Sequence, residues 1–156
     1  MAAITIVSPA FELRLPSVSP LLPLGVLTAL GRLSEKAALE LIECGRIEWA
    51  WDIRRAGAAR REIRVWRDSL FDYLARPQQP ARGATATALP ELWPHSRPAL
   101  RSTELTGLFC CSSTHIHALA RDGLLEALDA PRRGPCGAIR VSRASVEAFL
   151  LRRRVA

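Results

Sequence analysis

The sequence predicts an α+β chain made of two small modules in tandem, joined by a proline-rich linker. Three observations predict it. The first is an internal repeat, the feature that resets any reading of a fold. Residues 63–74 read IRVWRDSLFDYL and residues 139–150 read IRVSRASVEAFL, with Ile, Arg, Val, Arg, Ser and the final Leu coinciding at an offset of 76. Upstream, LSEKAALELIECG ends at Gly45 and CSSTHIHALARDG ends at Gly123, an offset of 78. The two-residue difference falls in a Gly/Arg-rich stretch where a hairpin turn absorbs it. The second observation is that apolar spacing changes from helical to alternating within a copy. The third is the run Arg76–Ala99, which carries Pro77, Pro80, Pro90, Pro94 and Pro98. Such a run sustains neither a long helix nor a central strand.

Each copy follows one order of elements. A short helical segment comes first, Leu22–Leu30 or Ser102–Phe109. A serine then stands in N-cap position, Ser34 or Ser112, where its hydroxyl satisfies an orphan helix amide. The second helix is Glu35–Cys44 or Ser113–Asp122, with Ala38, Leu41 and Ile42, or Ile116, Leu119 and Ala120, on one face. Gly45 or Gly123 ends it at C′. A strand pair follows around an Arg/Gly-rich turn. In the first copy Ile47, Trp49, Trp51 and Ile53 alternate with polar or small residues, a half-buried strand pattern. The returning strand is Ile63–Val65 or Ile139–Val141, and a last helix closes the unit, Asp68–Leu74 or Ala144–Arg152. The expected boundaries are residues 1–75, 76–99 for the linker, and 100–156. Leu89, Leu92 and Trp93 are the linker side chains able to pin it onto a domain. Residues 1–20 suggest short strands at Ile4–Val7 and Phe11–Leu15.

Composition narrows the partners. The chain has 156 residues and a formal charge of +7, which favours a polyanion. Twenty-one of its 22 basic residues are Arg, Lys36 being the exception. Arg suits bidentate recognition of phosphate and guanine. No apolar run reaches the roughly 18 residues of a membrane span, and no secretory pattern opens the chain. Cys44, Cys110, Cys111 and Cys136 form no CxxC pair and read as reduced thiols of a cytoplasmic, nucleoid-associated protein.

The order helix, turn, helix, hairpin, helix is that of a winged helix-turn-helix. CSSTHIHALARDG and IRVSRASVEAFL resemble the excisionase-like branch of the MerR superfamily. Members of that branch show a Ser-initiated recognition helix ending in an acidic residue and Gly. A hairpin follows, then a closing stretch Ile-Arg-Ile-x-Arg-x-x-Leu-x-x-Phe-Leu. The resemblance covers residues 100–151 well and 22–75 more loosely. It implies a non-enzymatic protein that binds double-stranded DNA, an accessory factor or transcriptional regulator of a mobile element or phage, acting in recombination or transcription. No cofactor is expected.

In such a module the second helix enters the major groove. In the second copy that helix presents Ser112, Ser113, Thr114, His117 and Arg121, with no outward carboxylate before Asp122. In the first copy it presents Glu35, Lys36, Glu40 and Glu43, and carboxylates facing phosphate raise the energy of a complex. Residues 33–74 hold eight basic and eight acidic residues, a net of zero, whereas residues 100–154 hold nine and five, a net of +4. The hairpin turns are basic in both copies: Arg54, Arg55, Arg60 and Arg61 in the first, Arg132 and Arg133 in the second. Arg-bearing wings reach phosphates or a narrow minor groove. Arg64 and Arg140 alternate with apolar neighbours and so point away from the core, while Arg67 and Arg143 open the closing helices. Both pairs suit either phosphate or a nearby carboxylate. Arg152–Arg154 read as a basic tail.

Cys110, Cys111, His115 and His117 do not converge as a zinc site does, because residues 115 and 117 lie on different helix faces. Trp49, Trp51 and Trp66 read as sheet core. No nucleophile elbow, phosphate loop or HExxH motif is present. The competing reading is a protein-interaction adaptor that docks a recombinase, a nuclease complex or another copy of itself, with homo-oligomerisation on DNA a further option.

Overall fold

The structure is a computed structural model in which residues 19–80, 88–93, 96–129 and 139–155 are described. The expected strands at Ile4–Val7 and Phe11–Leu15, and the hairpin arginines Arg132 and Arg133, lie outside them. The described residues form a small mixed α+β fold with six helices and two antiparallel sheets. The first copy runs β1 (Leu21–Pro23), α1 (Leu24–Gly31), α2 (Glu35–Glu43), β2 (Ala50–Asp52), β3 (Ile63–Trp66) and α3 (Arg67–Ala75). The second runs β4 (Ala99–Arg101), α4 (Ser102–Phe109), α5 (Ser113–Arg121), β5 (Arg140–Ser142) and α6 (Arg143–Arg153). One sheet has the order β1-β3-β2, and the other is the pair β4-β5.

The repeat is written in hydrogen bonds as well as in letters. Ser34 Oγ accepts from Ala37 N in the first copy, and Ser112 Oγ accepts from His115 N in the second. Glu48 N donates to Ser69 Oγ at 2.8 Å, and Glu126 N donates to Ser145 Oγ at 2.9 Å. Arg67 N reaches Pro20 O at 2.8 Å, and Arg143 N reaches Pro98 O at 2.9 Å. The turn between the first two helices puts Arg32 at φ 50° and Cys110 at φ 48°, left-handed conformations at matching places. The helix-ending glycines take φ 73° at Gly45 and 71° at Gly123, which a side chain would strain.

Each copy also contains a strand that periodicity did not reveal. β1 pairs with β3 through Leu22↔Val65, and β4 pairs with β5 through Leu100↔Val141. Each leads straight into its helix at Leu24 or Ser102. The first helix of copy one therefore begins two residues later than its apolar run suggested.

The three-stranded sheet is buried on both faces, which differs from the half-buried strand expected. Cross-strand register divides its side chains. Leu22, Ala50, Ile63 and Val65 share a face that packs with Leu27, Ala38, Ile42 and Leu70 of the same copy. Leu21, Trp51, Arg64 and Trp66 share the other face. There Leu21, Trp49, Trp51 and Ile53 belong to one continuous core with Leu105, Phe109, Ile116, Val146 and Phe149 of the second copy. Leu92 is buried in that core, with Leu89 and Trp93 packed against it. Trp49 and Trp51 stack with centroids 5.7 Å apart, and Phe109 meets Phe149 at 6.2 Å.

This shared core corrects the picture of two modules held apart by their linker. Further contacts close the joint. The bridge Trp51↔Arg154 and the bond from Val155 N to Ala50 O, 2.8 Å, lay the C-terminal residues along β2. Arg154 stacks on Trp49 at 3.8 Å and donates to Glu48 O. It belongs to the joint and not to a free basic tail. No helix among the described residues is long and apolar enough to cross a membrane.

Candidate nucleic-acid interface

Helix α5 carries the side chains expected to meet DNA. Its buried face is Ile116 and Leu119, with Ala118 nearly covered. Thr114, His117 and Arg121 are spaced i, i+3, i+7 and so share the opposite stripe. Ser113, Thr114 and Arg121 are exposed and His117 is half-buried. Ser112 is exposed but committed to capping, so its hydroxyl is already partnered. The stripe carries no carboxylate, because Asp122 lies at the helix end on another face.

The hairpin of the first copy lies along α5 of the second. At its base, Ile53 O accepts from His115 Nε2 at 2.8 Å, and Glu62 Oε2 stands 3.4 Å from His115 Nδ1. Since a carbonyl oxygen only accepts, Nε2 is the protonated nitrogen in that contact. Near its tip, Arg55 Nε and Nη2 donate to the two carboxylate oxygens of Asp122 at 3.1 and 3.2 Å. Residues 115 and 122 are seven apart, hence on one helix face about two turns from each other. The small Ala118 lies between them. The hairpin is stiffened from within. Asp52 Oδ1 accepts from Arg54 N and Glu62 N, each at 3.1 Å, and Ala58 N closes the turn onto Arg55 O.

Arg64 fastens this arrangement, and its position corrects the outward orientation expected for it. It is 7% exposed. Its Nε donates to Phe109 O at 2.6 Å, its Nη2 to Cys110 O at 3.2 Å and to Glu62 Oε1 at 2.9 Å, and its Nη1 to Ile63 O. Phe109 and Cys110 end α4 just before α5. One planar fork therefore ties the first copy's sheet to the turn between the second copy's first two helices. Alternation placed Arg64 on the face opposite Ile63 and Val65, which is correct. It did not show that the second copy covers that face.

The other candidate cations divide by partner. Arg54 pairs with Asp52 at 3.3 Å and Arg61 with Glu43 at 3.4 Å. Arg140 grips Asp129 through two bonds of 2.8 and 2.9 Å, and Arg143 pairs with Glu147 at 2.8 Å while lying over Trp93. These two thus take the carboxylate option of the pair left open by the sequence. Arg60 and Arg121 are exposed and form no ion pair within 4 Å among the described residues, though Arg121 acts on the neighbouring Asp122 carboxyl and Arg60 lines a pocket with Glu35. Electrostatics follow the geometry. The Arg55 guanidinium, chiefly by hydrogen bonding, holds the Asp122 carboxyl below its ordinary range, and Arg121 adds to the effect. Burial pushes the Cys111 thiol up to about 12, against an opposing pull from Arg64.

The hairpin thus meets the helix bearing Ser113, Thr114, His117 and Arg121 through Arg55, whereas Arg54 turns to Asp52, Arg61 to Glu43 of α2, and Arg60 lines a pocket with Leu24, Leu33 and Glu35 of the first copy. His115, Asp122 and Arg64 set that geometry, and the sequence did not mark them as contacts between the copies. Their partners lie 45 to 67 residues away in sequence, beyond the reach of any local pattern. No protein-family model, curated protein or solved structure matches the chain.

Proposed function

We propose that the chain is a non-enzymatic double-stranded DNA-binding protein of the winged helix-turn-helix kind, with α5 entering the major groove. The role that fits is an excisionase-like accessory factor or transcriptional regulator of a mobile element or phage. The observation that carries this reading is the outward stripe of α5. It is polar, free of carboxylates, and ends in Arg121, an exposed cation that forms no ion pair within 4 Å among the described residues. Ser and Thr bond to any base type, whereas Arg prefers guanine O6 and N7.

The test is duplex binding at a series of salt concentrations. Each phosphate contact contributes roughly −0.9 to the slope of log K against log salt. Thr114→Ala or Arg121→Ala is expected to relax base preference at a cost on the order of 1–3 kcal/mol. Lys36→Ala and Glu43→Ala in α2 are expected to leave it unchanged. Arg132→Ala with Arg133→Ala is expected to flatten the slope through the second wing. Absence of salt-dependent binding would sink the reading.

A second reading is supported by α2. It exposes Glu35, Lys36, Glu40 and Glu43, and Glu43 draws off the charge of Arg61. Such a surface repels phosphate and suits a protein partner, so an adaptor role for the first copy stands beside DNA binding by the second.

A further inference from the structure

We propose that the arginine hairpin of the first copy and helix α5 of the second form one composite reading head, which engages a single continuous stretch of duplex. The inference rests on the DNA reading of α5 and adds which other element travels with it, and how far apart their contacts fall.

Three observations carry it. The hairpin is held against α5 at both ends, by His115 on Ile53 O and by Arg55 on Asp122. The stripe of α5 bearing Thr114, His117 and Arg121 neighbours the stripe that the hairpin covers, so hairpin and reading face border one another. The sheet carrying the hairpin shares a core with α4, α5 and α6 and is locked to the α4–α5 turn by Arg64. The hairpin therefore cannot swing to a distant site while α5 stays in its groove.

The charges agree with the geometry. Asp122 and Glu43 neutralise Arg55 and Arg61, which hold the hairpin in place. Arg60, also on the hairpin, is exposed and forms no ion pair within 4 Å among the described residues. It lines a pocket with Leu33 and Glu35 of the first copy, and as the hairpin arginine outside an ion pair it is the one assigned to a flanking phosphate. The hairpin of the first copy thus serves the helix of the second, whereas its own helix, α2, bears carboxylates.

The spacing of contacts distinguishes this from two modules on two half-sites. Helix-turn-helix pairs usually read half-sites about one helical turn apart, ~34–36 Å. A nine-residue helix is ~13.5 Å long. At ~3.4 Å per base pair, an element lying beside it touches DNA within about five base pairs of the contacts of α5.

The experiment uses the full chain and a duplex selected on it from a random-sequence library. A benzophenone amino acid replaces Ala58 at the hairpin tip in one variant and Ser113 in another, and cross-linked bases are mapped on the selected duplex. Cross-links from the two positions within about five base pairs are expected. Arg60→Ala is expected to lower the salt slope by about 0.9, with its circular dichroism unchanged. Cross-links about ten base pairs or more apart, or cross-linking from residue 113 with none from residue 58 and no effect of Arg60→Ala, would overturn the composite head and leave DNA binding by α5 standing. Failure of the library to yield any bound duplex would overturn both.

Discussion

Replacing Trp51 separates one shared core from two modules that merely touch. Its side chain is 0% exposed and stacks on Trp49 in the core common to both copies. Trp51→Ala removes a large ring that surrounding atoms cannot fully replace, and such truncations cost about 3–5 kcal/mol. Against a total stability of ~5–15 kcal/mol, that is a large fraction. With a urea m-value near 2 kcal/mol/M, the midpoint is expected to fall by about 1.5–2.5 M. The ring also buries Nε1–H without a hydrogen-bond partner among the described residues. An orphaned buried donor costs ~1–3 kcal/mol. Trp51→Phe deletes that donor and keeps most of the ring, at a cavity cost of about 1 kcal/mol. It is therefore expected to lie between neutral and ~2 kcal/mol more stable. Urea unfolding followed by far-ultraviolet circular dichroism reports the helices of both copies. Tryptophan fluorescence reports Trp49, Trp66 and Trp93, outside the second copy's helices. One coincident transition, shifted down for Ala and not for Phe, is the expected result. A biphasic curve in which half the helical signal ignores Trp51→Ala would refute the shared core. A Phe variant as damaged as the Ala variant would refute the account of the orphaned donor.

Arg64→Met leaves the carbonyls of Phe109 and Cys110 without their shared donor and is expected to lower stability by on the order of 3 kcal/mol in the same urea assay. Arg64→Lys should recover only part of it, since an ammonium lacks the planar fork; full recovery would contradict the bonding described. Cys44 is exposed whereas burial raises the Cys111 thiol to about 12, so iodoacetamide at pH 8 should modify Cys44 well before Cys111 in peptide mass mapping. Asp122 has a folded-state pKa below its unfolded value, so the Arg55–Asp122 clamp contributes fully above the unfolded value, near pH 3.9, and its contribution is lost as pH falls through the lower folded value. Amide shifts of Ala56 and Ala58 in an acid titration should follow that loss, and Asp122→Asn should abolish their response.

Much of each module could be read locally. The 76 and 78 offsets located matching elements, and Ser34, Ser112, Gly45 and Gly123 marked helix ends that the structure places within a residue or two. Strands β1 and β4 escaped because three residues offer no period to detect, and β1 merges into the apolar run that continues as α1. The joint between copies escaped for another reason. Alternation in β2 and β3 tells which side chains share a face, but not what covers the second face. Trp49 and Trp51 were recognisable as core. Their partners, Phe109 and Phe149 among them, lie far along the chain and were assigned to another body.

A single pair of equivalent positions accounts for the way the two copies differ. The 76 offset makes Arg64 and Arg140 counterparts, and the strand register matches Trp51 with Leu128, since Ala50 faces Val65 where Ala127 faces Val141 and Leu128 N donates to Arg140 O. In the first copy Trp51 stands directly across from Arg64 in the sheet, so that face is apolar enough to bury, and Arg64 is buried with it on carbonyls of the second copy. In the second copy Leu128 stands across from Arg140, and it is 48% exposed where the indole is buried. Arg140 turns to Asp129 in a two-pronged pair and its side chain stays 60% exposed. The neighbouring match, Trp49 with Glu126, points the same way: Trp66 N bonds Trp49 O where Ser142 N bonds Glu126 O, and the tryptophan is buried and the glutamate exposed. One arginine in one structural place is thus a rivet in one copy and a solvated ion pair in the other, and the residue across the strand decides which. Among the described residues the second copy has no equivalent of the apolar face that receives it, so association by this face is expected to end at two units. Leu128→Trp together with Glu126→Trp is the double substitution that would recreate the apolar face, and on this reasoning it should drive concentration-dependent self-association in analytical ultracentrifugation. A variant that stays monomeric at concentrations on the order of 100 μM, well above the range of weak specific contacts, would show that the residue across the strand is not what ends the stack.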